Sequence, residues 1–283
     1  MAHKIRGVVE GFYGRPYTLK QRLDLIDFLH GLGMNTYVYG PKSDAFHRRR
    51  WRDPYPSRKL REFAMLLRHC AERHVDLVYA LSPVYRPDAK AVIRKIRTMA
   101  AIGIRHYSLF FDDIKVDLSR ETALTQVSVV HALHSFLKGL HKNATLSFCP
   151  TQYRGFKRTD YMTYVAENLS DRIDIFWTGK TVVAKSITDL DIARITRLLA
   201  RPVLIWDNLF ANDYLHGQIL RFPYRRRSPR ILEKTRGVLL NPMNDWQASK
   251  PLIHTAAAFL RDPSGYRPDR AWREASRTCP GTH

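Results

Sequence analysis

The sequence predicts an α/β protein of the (β/α)8 TIM-barrel class, folded as a single catalytic domain. Three observations carry that prediction. Eight short apolar runs recur along the chain, amphipathic segments lie between them, and polar residues collect where the runs end. The length of 283 residues suits a barrel of this kind.

The runs are 5–12, 35–39, 75–81, 107–111, 144–149, 174–177, 202–206 and 237–240. They are rich in Val, Ile, Leu, Phe and Tyr, and most lack strict polar alternation. Strands buried on both faces of a parallel sheet have that pattern. The segments 19–32, 58–73, 88–102, 122–140 and 190–200 show helical amphipathicity; Leu23, Ile26, Phe28 and Leu29, for example, alternate with Lys20, Arg22 and Asp24. An eighth helix is expected at about 251–260, and Pro150, Pro202 and Pro242 punctuate element ends. A doubly wound open sheet is the competing fold. It would usually carry a glycine-rich phosphate turn after the first strand, and Gly11-Phe12-Tyr13-Gly14 is not G-x-G-x-x-G. The barrel is assigned to residues 1–262, followed by a short tail at 263–283.

Composition narrows the class. The hydrophobic fraction of 45% is that of an ordinary globular protein, and no stretch is apolar for long enough to span a bilayer. A strand begins near Ile5, which leaves no room for a signal peptide, so a cytoplasmic location is expected. Cys70, Cys149 and Cys279 are odd in number and widely spaced, which argues against a disulfide framework and against a cysteine metal site. The histidines are scattered; no metal and no cofactor is expected. The net charge of +21 favours polyanions. Without a nucleic-acid-binding motif, contact with nucleic acid is expected to be non-specific.

The residues Tyr107 to Asp117, YSLFFDDIKVD, are the most informative stretch. A buried run ends in two adjacent carboxylates, Asp112 and Asp113. Burying like charges side by side is costly unless they have a role or face water. Close carboxylates push one acid's pKa upward, and a protonated acid beside an ionised one is equipment for glycosidic cleavage. Neighbouring strand residues point to opposite faces, so the chain must leave strand geometry at Asp113 if both are to act in one pocket. In a barrel, chemistry sits at the carboxyl ends of the strands. Those ends here offer Glu10 and Gly11, Lys42, the aspartate pair, Tyr153, Trp206 and Asn208 with Asp213, and Asn241. Aromatic platforms with amides and acids suit a sugar ring.

Seven ordered blocks resemble glycoside hydrolase family 84, which holds the O-GlcNAcases and related bacterial β-N-acetylglucosaminidases. They are GVVEGFYGRPY at 7–17, NTYVYGPKSDAFHRRRWRDPY at 35–55, FFDDI at 110–114, FCPTQY at 148–153, FWTGKTVV at 176–183, IWDNLFANDY at 205–214 and GVLLNPM at 237–243. The resemblance implies a retaining, substrate-assisted mechanism in which the substrate's 2-acetamido oxygen attacks the anomeric carbon. It implies that Asp112 orients the acetamido group and that Asp113 is the acid and base. Tyr153, Trp206 and Asn208 would form the acetamido pocket, while Gly11, Lys42, Asp213 and Asn241 would grip sugar hydroxyls. Glu10 is read alternatively as a salt-bridge partner inside the barrel. Ser43 and Gln152 depart from the acidic residues familiar at those places, and 265–275 resembles the opening of the helical domain that usually follows the barrel.

The expected function is removal of terminal β-linked GlcNAc from Ser or Thr of proteins. The alternatives are hydrolysis of free hyaluronan, chitin or cell-wall oligosaccharides, or a non-catalytic GlcNAc- or polyanion-binding barrel. The runs Arg48–Arg49–Arg50 and Arg225–Arg226–Arg227 are expected to flank the pocket and to favour acidic aglycones.

Overall fold

The computed structural model describes residues 4–215 and 217–279. Eight parallel strands close in sequence order into a barrel, β1 pairing with both β2 and β8. The strands are β1 Ile5–Glu10, β2 Thr36–Tyr39, β3 Asp76–Leu81, β4 His106–Phe110, β5 Thr145–Cys149, β6 Asp174–Trp177, β7 Leu204–Asp207 and β8 Gly237–Leu240. Each overlaps one of the eight apolar runs, so the closed barrel replaces the open-sheet alternative.

Every strand contributes to a packed barrel interior. Val9, Val38, Ala80, Phe110, Cys149, Phe176, Leu204 with Trp206, and Leu239 form one buried cluster. The alternate residues, such as Val8, Tyr37, Tyr39, Tyr79 and Leu109, face outward into a second cluster shared with the helices. Two buried faces explain why the strands read as continuous apolar runs.

The helices are α1 Leu19–Gly31, α2 Ser57–Glu72, α3 Ala89–Ala101, α4 Arg120–Leu140, α5 Asp160–Asn168, α6 Asp189–Leu199, α7 Ile231–Lys234, α8 Trp246–Arg261 and α9 Pro268–Thr278. Their starts follow capping chemistry. Thr18 with Gln21 and Thr188 with Asp191 make capping boxes, and Asp88, Ser119, Thr159 and Asp245 cap through their side chains.

Three elements differ from the sequence reading. α8 begins at Trp246, so Pro251 lies inside it rather than at its start. Pro251 costs the helix one backbone hydrogen bond, and the burial of eleven α8 side chains, Trp246, Leu252 and Ile253 among them, offsets that loss. α5 and the single-turn α7 are too short to show clear periodicity in the sequence. The tail holds α9, which buries Ala271 and Ala275 and packs against α8. Tyr266 anchors its approach by donating to the Tyr224 carbonyl at 2.7 Å.

Candidate active site

A cavity of about 450 Å³ opens at the carboxyl ends of the strands. Gly11, Lys42, Asp112, Asp113, Tyr153, Trp206, Asn208, Asp213 and Asn241, which come from the ends of six different strands, all line it. Its size falls within the range of small-molecule sites, roughly 300–1,000 Å³.

The aspartate pair sits where β4 ends. Asp113 has φ of 55°, a left-handed conformation that non-glycine residues rarely adopt. The turn lets both carboxyl groups line one cavity instead of opposite faces. Asp112 lies on the floor, 5% exposed, and Asp113 stands exposed at the mouth.

Their surroundings differ. Lys42 Nζ contacts Asp112 Oδ2 in a buried ion pair. The same ammonium lies 5.3 Å from the ring centroids of both Phe110 and Trp206, a cation–π setting that keeps it in place. The other oxygen, Asp112 Oδ1, is buried with no hydrogen-bond partner. Asp113 accepts from Tyr153 Oη at 2.6 Å and from Tyr13 Oη at 3.0 Å. Burial, together with the adjacent Asp113 charge, holds both phenols far above their ordinary pKa, so they remain donors at any physiological pH.

The far wall is a relay of amides. Gly11 N–H donates to Asn241 Oδ1 at 3.2 Å, Asn241 Nδ2 donates to Asn208 Oδ1 at 2.8 Å, and Asn208 Nδ2 donates to the Val182 carbonyl at 2.8 Å. This fixes Val182, another lining residue, against the barrel. Gly11 has a steric role as well: a Cβ there would meet Trp206 Cζ2 at 2.2 Å. Trp206 is thus pressed onto β1, and it packs against Phe110 and Phe176 with centroids 4.8 and 5.6 Å away. Its Nε1 is buried and unpartnered. Asp213 accepts from Tyr13 N–H at 2.8 Å and so holds the turn that carries the Tyr13 phenol.

One of the sequence expectations needs revision. The basic runs do not simply flank the cavity. Arg48 turns inward, its guanidinium donating to the Asp112 carbonyl at 3.2 and 3.3 Å, to the Asp113 carbonyl at 3.0 Å and to Ser82 Oγ at 2.9 Å. Arg227 is fully buried against Asp207, with 2.5 and 2.8 Å contacts. Only Arg49, Arg50, Arg225 and Arg226 remain exposed. The sequence could not separate inward from outward members, because adjacent arginines look alike until a buried acceptor claims one. Glu10 is the structural partner considered as its alternative. Arg22 pairs with both its oxygens at 2.8 Å, and Tyr17 N–H and Tyr37 Oη complete its contacts.

Tyr13, Thr178, Val183 and Tyr214 also line the cavity and were not selected from the sequence. Tyr13 lies inside the first resembling block, three residues after Glu10, and its aromatic character at a strand end was the available signal. Among the described residues, no group of three or more His, Cys, Asp or Glu side chains could hold a metal, and no helix is long and apolar enough to cross a membrane.

The comparisons with known proteins agree with this geometry. The family model for beta-N-acetylglucosaminidase (NAGidase) matches residues 6–283. The protein O-GlcNAcases of Rattus norvegicus and Mus musculus are each 33% identical over 93% of this chain. The chain spans only 31% of their length. A solved mutant of the O-GlcNAc hydrolase of Thermobaculum terrenum superposes with a TM-score of 0.93 at 31% identity, over 98% of this chain and 63% of that one. The match across nearly the whole chain, with the paired aspartates at the mouth of a closed barrel, places this protein in the beta-N-acetylglucosaminidase family, the catalytic-domain family of glycoside hydrolase family 84.

Proposed function

We propose that this chain hydrolyses terminal β-linked N-acetylglucosamine by substrate-assisted catalysis, and that its substrates are Ser- or Thr-linked GlcNAc groups on proteins. The observation that carries the reading is Asp112. It is a buried carboxylate with one oxygen held by Lys42 and the other unpartnered at the cavity floor. An unsatisfied buried acceptor is costly, and an acetamido N–H entering the cavity would satisfy it.

The two environments support the following reaction. With its N–H on Asp112, the acetamido group is turned so that its carbonyl oxygen reaches the anomeric carbon. A bond forms there as the bond to the leaving oxygen breaks, and Asp113 gives that oxygen a proton. Asp112, paired with Lys42, stabilises positive charge as the oxazoline closes. Asp113 then takes a proton from water, which opens the ring with overall retention. Attack by a group already on the substrate removes the entropy of bringing in a second reactant. Tyr153, held protonated beside Asp113, is placed to pass its hydrogen bond to the acetamido oxygen. Trp206 walls the acetamido pocket, which Asn208 braces. Asp213, Asn241 and the Gly11 backbone face the hydroxyl edge of the sugar. The three cysteines are unpaired and buried, which fits a reducing compartment such as the cytoplasm.

The test is hydrolysis of a chromogenic aryl β-N-acetylglucosaminide by the parent and by Asp112→Ala and Asp113→Ala. Activity in the parent is expected, with losses of about 10²–10⁴-fold in both variants. Asp113→Ala should recover on substrates whose leaving group needs no proton, and Asp112→Ala should not. An inactive parent, or equal recovery of both variants, would contradict the assignment. GlcNAc-peptides and free oligosaccharides compared side by side decide the aglycone.

A further inference from the structure

Two neighbouring loops wall one side of the cavity. Loop 150–159 supplies Tyr153, and loop 178–188 supplies Thr178, Val182 and Val183. They are tied together, Gly155 N–H donating to the Gly179 carbonyl at 2.8 Å and Thr178 N–H to the Tyr153 carbonyl at 2.9 Å. Between them they carry Arg154, Lys157, Arg158, Lys180 and Lys185 and not one carboxylate. Lys180 is spent on Asp191 at 3.4 Å. Arg154, Lys157, Arg158 and Lys185 are exposed and, among the described residues, have no acidic partner.

The charge continues outward. A groove of about 550 Å³ between α5 and α6 starts on the outer side of loop 150–159, at Phe156 and Arg158. Arg194 and Arg197 rim it, Ala166 and Leu198 add apolar surface, and Glu167 is its one acid. The Arg194 guanidinium lies 4.5 Å over the Phe156 ring. One ten-residue loop therefore forms both the cavity wall and the near edge of a cationic groove. Tyr153 and Arg158 are five residues apart, so at most roughly 18 Å separates them.

We propose that this track binds the polypeptide portion of the substrate and selects glycopeptides with acidic side chains within about five residues of the sugar-bearing position, the reach of an extended chain over that distance. The inference rests on the hydrolase reading above. The aliphatic surface of Ala166 and Leu198 beside the arginines favours a peptide over a uronate polysaccharide or a nucleic acid, because a peptide can set an aliphatic side chain there next to each acid.

The test compares kcat/KM for an uncharged aryl β-N-acetylglucosaminide and for matched GlcNAc-peptides with acidic or basic flanks. At low salt, acidic peptides should be preferred by roughly tenfold or more. At about 1 M salt, where the Debye length is ~3 Å, the preference should largely vanish. Each variant's peptide rates are normalised to its own aryl-glycoside rate. The triple change Arg158→Glu, Arg194→Glu and Arg197→Glu should cut the acidic-to-basic ratio by at least about tenfold, mainly through KM. The corresponding Gln triple should shift it less but in the same direction, and it serves if the Glu variant does not fold. Arg270→Glu, Arg273→Glu and Arg277→Glu on α9 make the same change in net charge away from the track and should leave the ratio unchanged. Equal turnover of acidic and basic peptides would overturn the proposal. So would an equal effect of the α9 variant, or competition by hyaluronan fragments or single-stranded RNA as strong as that by acidic peptides. A parent inert on the aryl glycoside would instead sink the hydrolase reading, and this inference with it.

Discussion

Buried carboxylates at or just beyond two strand ends face opposite fates in this barrel. Asp207, at the end of β7, is completely enclosed. Arg227 contacts both its oxygens, while Leu209 N–H and Tyr224 Oη complete the shell. Asp112, just past β4, is buried too, yet Lys42 reaches only one of its oxygens. Glu10 on β1 sides with Asp207. All three are acids with cationic partners. What separates structural from chemical use is whether every lone pair is satisfied before a ligand arrives. A closed ion pair specifies the fold, and an open one keeps an acceptor for a substrate.

The sharpest way to break this comparison is to disrupt each ion pair. Asp112→Asn should leave the barrel folded and lower aryl-glycoside kcat by about 10²–10⁴-fold, measured beside an unchanged circular dichroism spectrum. At the closed pair the effect should fall on stability. Arg227→Met strands the Asp207 charge and should cost about 3–5 kcal/mol in denaturant unfolding. The double variant Arg227→Met with Asp207→Leu should recover most of that loss. If Asp112→Asn unfolds the protein while Arg227→Met does not, the distinction between open and closed pairs is wrong.

A smaller effect is expected at Arg48, which touches the backbone of the aspartate pair and not their carboxylates. Arg48→Lys loses the fork that bridges the two carbonyls, and a lysine cannot reproduce it. Activity should drop by roughly tenfold in kcat with little change in KM, the signature of a misaligned pair. An effect confined to KM would argue for substrate binding instead.

A further expected effect concerns pH. Burial pushes the His47 imidazole down to about 3, with Lys42 adding to the shift and the bond to the Ala80 carbonyl opposing it. That carbonyl can only accept, so Nδ1 carries the proton and Nε2 is bare. The folded pKa lies below the unfolded value near 6.5, so the unfolded chain binds the extra proton between the two. Stability is therefore fully present above about pH 6.5 and declines as pH falls toward 3, by at most ~1.4 kcal/mol per unit. Melting temperatures from pH 7 to 4 for the parent and His47→Gln should show a shallower slope in the variant. Parallel slopes would exclude His47 as the source.

The eight strands were legible in the sequence because a parallel barrel buries both faces of each strand, which leaves uninterrupted apolar runs. The candidate site was legible because the barrel closes in sequence order, so residues at successive run ends must converge. α5 and α7 were not legible, since one or two turns give too few residues to define a period. Helix α8 begins five residues before Pro251, which resembles a helix start until the burial around it is known.

By itself, the sequence determined the strand count, the α/β class and the placement of an acid pair at the end of the fourth run. Periodicity and adjacency are local properties, and they survive in one dimension. Only the tertiary structure decided which arginine of each basic run turned inward, that Asp113 adopts a left-handed turn, and that one oxygen of Asp112 stays free. Those outcomes depend on which buried acceptor lies within hydrogen-bond reach, a distance set by chain segments that are remote in sequence and meet only when the ring of strands closes.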